Sequence, residues 1–169
     1  VSGLRSVELA VPDLTIAKKF YTSSWGLEVV TEDDRSVYLR GTGSDHHALV
    51  LRGGKEKQLL AVNLRAKDKE TVDGLYAKAK SFGVSAEAPV DLVSPGGGYG
   101  FVFHDLHDRK YCISTGLRDL AAKPNSKDSP IKLSHVVLNS PDREAQSAQF
   151  IDLLGFKLSD RTGFMDFIR

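Results

Sequence analysis

The 169-residue chain sets 23 Lys+Arg against 22 Asp+Glu, with 41% hydrophobic residues and a single cysteine, Cys112. This is the composition of an ordinary globular protein, and it excludes a disordered chain, a collagen and a disulfide scaffold. A formal charge of +1 leaves no basic footprint for nucleic acid, and no apolar run approaches the ~20 residues that span a bilayer, so small molecules or proteins are the expected partners. One cysteine cannot close an internal disulfide, which makes the reducing cytoplasm the expected compartment.

From the start of the chain, Val7, Leu9 and Val11 alternate as strand residues do, Pro12 ends the strand and Asp13 can cap a helix. Leu14, Ala17 and Tyr21 share one face of that helix, and Gly26 follows it where a left-handed residue is wanted. Residues 27–30, 36–40 and 48–51 read as strands, with a turn around residues 41–44. A second unit of the same order follows: a strand at 58–64, a helix capped by Asp68 with Val72, Leu75, Ala79 and Phe82 at helical spacing, Gly83, a weak strand at 84–86, and a hairpin of 99–103 with 110–114. Residues 119–129, DLAAKPNSKDS, are poor in apolar side chains and read as a linker.

The text then repeats itself. LRSVELAVPD at 4–13 returns as LSHVVLNSPD at 133–142, an offset of 129 that also pairs Tyr21 with Phe150, Gly26 with Gly155 and Tyr38 with Phe167 without a gap. The expected fold class is α+β, built from βαβββ modules, two of which pair into a half-open barrel. Modules at 1–53 and 57–117 form an N-terminal domain, 118–129 is the linker, and 130–169 begins a C-terminal domain with a third, incomplete module. In that module Ala145, Ala148 and Ile151 are expected to face inward, and residues 164–168 read as a strand that needs a neighbour, so further sequence is expected beyond Arg169.

With the repeat, the stretches SDHHALVL at 44–51 and GGGYGFVFHDLHDR at 96–109 complete a pattern that resembles the vicinal oxygen chelate superfamily: glyoxalase I, bleomycin-resistance proteins and type I extradiol dioxygenases. Its two-domain order is most similar to the extradiol dioxygenases. That resemblance implies a structural N-terminal domain and a C-terminal domain that binds Fe(II), or Mn(II) or another divalent metal, through a His on the first strand of module three, a second His later in that module and a Glu from module four. His135 matches the first; the others are expected beyond Arg169. It further implies a catechol-like vicinal diol and O₂ as reactants and a homo-oligomer, because two imidazoles and a carboxylate leave open positions on the metal where both reactants bind. Catalytic residues are not assigned. A glyoxalase-like isomerase or lyase, and a metal-free small-molecule binder with His135 in its pocket, are the alternatives.

Other candidates fit bland roles. Ser6 stands at the position of His135 and is a poor ligand, and Cys112 occupies the place of the family's last-strand Glu, so the N-terminal metal corner is expected to be vacant. His46 and His47, being adjacent, are expected on opposite faces of a strand, as a relic or surface pair. His104 and His107 are expected as exposed turn residues. Gly96, Gly97 and Gly98 lack the following Lys and helix of a phosphate loop. Cys112 reads as a small buried hydrophobe and Trp25 as a core or helix-end residue.

Overall fold

A computed structural model describes residues 1–125 and 127–169; Ser126, within the expected linker, lies outside the described residues. The first module comprises β1 (Gly3–Val11), α1 (Leu14–Ser23), β2 (Glu28–Asp33), β3 (Ser36–Arg40) and β4 (Leu49–Gly53). The second comprises β5 (Gln58–Arg65), α2 (Lys69–Ser81), β6 (Val90–Asp91), β7 (Tyr99–His104) and β8 (Lys110–Thr115). α3 (Arg143–Leu154), β9 (Leu158–Arg161) and β10 (Asp166–Ile168) follow.

Local chemistry sets the helix starts. Asp13, Asp68 and Asp142 each cap a helix, accepting the amides of Ile16 at 2.8 Å, Thr71 at 2.9 Å and Ala145 at 3.0 Å. After each helix a glycine takes a positive φ: Gly26 at 67°, Gly83 at 70° and Gly155 at 74°.

Eight strands form one sheet in the order β2-β3-β4-β1-β5-β8-β7-β6, curled but not closed into a barrel. An approximate dyad relates the modules through the central antiparallel pair, where Ser6 faces Asn63 and Glu8 faces Ala61. Strand alternation then gives the sheet two unlike faces. The convex face is apolar: Val37, Leu39, Leu49 and Leu51 lie under Leu14, Ala17 and Tyr21 of α1, while Val62, Leu64, Phe101, Phe103 and Ile113 lie under Val72 and Ala79 of α2. The concave face is polar, carrying Ser6, Glu8, Ser36, Tyr38, Arg52, Asn63 and Cys112.

The third segment departs from the sequence-based expectation in two ways. Residues 133–140 form no strand, because the counterparts of β4 and β5 that flank β1 have no equivalent beside them. Ala148 of α3 is exposed, whereas Phe150, Leu153 and Leu154 join the core of the second module, with the Phe150 and Tyr111 rings 5.4 Å apart. The inward face of α3 is therefore turned onto the neighbouring module's sheet. Only the short hairpin β9–β10 is paired in this segment, with Asp166 facing Arg161.

Residues 120–125 and 127–131 contain no regular element, yet they are tied to the turn after β3. Leu120 and Lys123 donate to the carbonyls of Ser44 and Thr42, and Thr42 and Gly43 donate to those of Pro130 and Ile131. Arg40 adds a bond to the Ala121 carbonyl at 2.9 Å.

Candidate functional site

The concave cup is where paired βαβββ modules converge their polar side chains. The Asn63 amide donates to Ser6 Oγ at 3.0 Å and to Glu8 at 3.3 Å, and Arg52 Nε donates to the other Glu8 oxygen at 2.9 Å. Cys112 stands next to Asn63 in the parallel β5–β8 register. A bulge between Leu4 and Ser6 inserts Arg5, which is buried and reaches the Pro95 carbonyl.

His46 and His47 correct the expectation of a surface pair. They precede β4 instead of lying in it, so strand alternation does not separate them, and both are buried, 8% and 3% exposed. Their Nδ1 atoms are 3.0 Å apart, so one carries the hydrogen and the other accepts it. Burial, then the positive charge of Arg5, holds His47 down to about pKa 3, and burial likewise lowers His46. Gly96, at φ 90°, packs against Arg5 and His46, and a Cβ there would stand only 3.0 Å from the guanidinium and 3.2 Å from the imidazole ring.

This cup does not fit a divalent metal. Ser6 is neutral and hydrogen-bonded, Glu8 is committed to Arg52, burial raises the Cys112 thiol above its ordinary pKa and so disfavours the thiolate, and Arg5 already supplies a buried positive charge. Among the described residues no group of three His, Cys, Asp or Glu side chains could hold a metal ion.

His135 lies apart from the cup. Val136 and Leu138 pack against the second module's core; His135 is exposed at the rim of an open depression of about 380 Å³ that it lines with Val62, Leu64, Tyr111, Leu138 and Phe150, and Val137 is 64% exposed. His135 Nδ1 is 3.1 Å from Ser134 Oγ. When Nδ1 donates in that bond, the Nε2 lone pair is free to ligate.

His107 corrects a second expectation. Ser140 Oγ donates to the Asp142 carbonyl at 2.8 Å, so at its 2.7 Å contact with His107 it accepts, and His107 Nε2 carries a hydrogen. His107 and His104 are both half-buried. The buried Asp105 beside them accepts from Arg109 Nε and the Tyr111 hydroxyl, and Arg109 continues to the Asn139 carbonyl at 2.8 Å and Gln146 at 2.6 Å. The β7–β8 turn is thus an internal clamp on the segment that follows His135. Sequence reasoning missed this clamp, and Arg5, Glu8 and Asn63 of the cup; the alternation of Ser6 and Glu8 against Val7 and Leu9 was the available signal for the polar face.

Residues 3–109 match the profile of the Glyoxalase/Bleomycin resistance protein/Dioxygenase superfamily. The chain belongs to that superfamily. Its fold is that of a Mn(II)-bound glyoxalase from Novosphingobium aromaticivorans, at 35% identity and a TM-score of 0.95, covering all of this chain and 58% of that one. Homoprotocatechuate 2,3-dioxygenase from Arthrobacter globiformis is similar at 26% identity and a TM-score of 0.87, over 99% of this chain and 54% of that one. A variant of the same dioxygenase from B. fuscum gives 25% and 0.88, over 100% and 50%. The chain thus spans about half the length of these relatives. No curated protein sequence matches it. No helix among the described residues is long and apolar enough to cross a membrane.

Proposed function

We propose that this chain is the N-terminal part of a divalent-metal enzyme, an extradiol-type ring-cleaving dioxygenase acting on a catechol-like vicinal diol with O₂. In this reading residues 1–117 are a structural domain and residues 118–129 its linker. Residues 130–169 begin the metal-bearing domain, with His135 as one ligand and the remaining ligands beyond Arg169. The observation that carries the reading is the fate of one position in two copies of the repeat. At Ser6 the corner is closed by hydrogen bonds and a buried guanidinium, while at His135 an exposed imidazole stands at the rim of an open depression. Similarity to the two homoprotocatechuate dioxygenases supports the ring-cleaving chemistry, and Fe(II) is the metal proposed, with Mn(II) as the other candidate. A bound metal supplies the meeting place of diol and O₂; the residues of this chain supply one ligand and the scaffold that holds it. A homo-oligomer is part of the same proposal.

A glyoxalase-like isomerase or lyase is the second reading, favoured by the higher identity to the Mn(II)-bound glyoxalase. Oxygen uptake by the intact-length protein, reconstituted anaerobically with Fe(II) and offered a panel of catechols, separates the two. Uptake that disappears in His135→Ala supports ring cleavage, and bound metal without uptake moves the assignment to the isomerase. The same protein tests the two corners: His135→Ala lowers metal per chain sharply and His47→Ala does not, whereas equal loss in both overturns the closed N-terminal corner.

A further inference from the structure

α1 has two apolar sides. Leu14, Ala17 and Tyr21 face its own sheet, but Ile16 and Phe20 lie outside, 68% and 50% exposed, and Trp25 just beyond the helix is 54% exposed. Beside them run two depressions of about 440 and 220 Å³ that share Leu9 and Tyr21 and so form one groove along α1. Leu9 and Leu59 form its floor, Phe20 and Trp25 one wall, and Leu133 contributes to its far end. Lys57 stands at one end and Lys132 at the other, neither in an ion pair among the described residues.

The other half of the molecule shows how such a groove is covered. Through the dyad between β1 and β5, Val7 and Leu9 of the first module correspond to Val62 and Leu64 of the second. Val62 and Leu64 lie under Phe150, Leu153 and Leu154, the i, i+3, i+4 face of α3. Over Val7 and Leu9 no such helix sits, and the groove there remains open.

We propose that in the longer protein this groove receives the helix of a further βαβββ module, with Phe or Leu at i, i+3 and i+4 and carboxylates facing Lys57 and Lys132. The proposal rests on the reading that the chain is the N-terminal part of a two-domain protein, and not on the metal or the reaction. Relatives of which this chain covers 50 to 58% have the length to supply such a module. A second copy of this chain fits less well, because a twofold contact across the groove brings lysines against lysines.

Trp25, the only tryptophan of the sequence, reports on the groove. Acrylamide quenching of the intact-length protein is measured as the difference from its Trp25→Phe variant, which removes the signal of any other tryptophan. The expected result is a quenching constant several-fold below that of the denatured protein and independent of protein concentration. Phe20→Glu, and separately Lys57→Glu with Lys132→Glu, should raise it several-fold while far-ultraviolet circular dichroism stays unchanged. Quenching as fast as in the denatured protein overturns the proposal, and protection lost on dilution replaces it with a second copy. Metal content of the same samples keeps the readings apart: a shielded Trp25 in a protein that binds no metal sinks the proposed function alone, and a metal-loaded protein with Trp25 open sinks the groove proposal alone.

Discussion

His47 ties burial to acid sensitivity. In the unfolded chain its imidazole titrates near the ordinary value of 6.5, whereas in the fold burial and the Arg5 charge hold it to about 3. Between those values the unfolded state binds a proton that the folded state refuses, so stability is full above about pH 6.5 and falls as the pH drops. The loss reaches up to about 1.4 kcal/mol per pH unit. Urea unfolding at pH 7, 6 and 5 should show that decline, and His47→Gln should flatten it without abolishing it, since His46 is lowered as well; an unchanged slope in the variant would place the acid sensitivity elsewhere. Cys112 behaves in the opposite sense, because burial raises its thiol and leaves little thiolate. Its reaction with a thiol reagent at pH 8 should run on the order of 100-fold slower in the native protein than in urea. Comparable rates would mean that the cup is open to solvent at this point.

At the scale of elements, what could be read from the sequence was whatever a few neighbouring residues decide. Asp13, Asp68 and Asp142 announce helix starts, Gly26, Gly83 and Gly155 announce their ends, and alternation around Val7 and Val62 announces strands, because caps and pleats are local. Burial of His46 and His47 could not be read, since it depends on Arg5 and the Gly96 turn, remote in sequence. Nor could the face of α3, whose core is supplied by the second module. The tied segment after β8 is of the same kind: composition announced a polar stretch, while the turn at residues 41–44 gives it hydrogen-bond partners. Gly41 is the point of closest approach, where a Cβ would stand 2.6 Å from the Ile131 carbonyl oxygen and overlap that of Pro130. Gly41→Ala should therefore push the two segments apart at a cost of about 1–3 kcal/mol. Hydrogen exchange at the Thr42 and Gly43 amides, which donate across this contact, should speed up in the variant while that of β5 amides stays slow. Unchanged exchange at Thr42 and Gly43 would show that the turn absorbs the methyl group.

The whole molecule has a division of labour between faces. Convex apolar surface on each module calls for a helix, and the concave polar surface is tied together by Asn63, Glu8, Arg52 and the histidine pair, with the buried Ser114 hydroxyl left without a partner among the described residues. Because Phe150, Leu153 and Leu154 fill the convex side of the second module, the segment that carries His135 is anchored at its Val136 and Leu138 side by the same core and at Asn139 and Ser140 by the Arg109 and His107 contacts. Such shared packing means that α3 melts with the eight-stranded sheet and not before it. Phe150→Ala should lower the stability of the entire unit by about 3–5 kcal/mol, since it opens a cavity against Tyr111 and Phe156. Unfolding followed by circular dichroism and by Trp25 fluorescence, a probe in the other module, should then shift together. A variant in which the helical signal is lost first while Trp25 holds its native emission would show instead that α3 docks as a separate unit, and that the position of His135 is set by something other than this core.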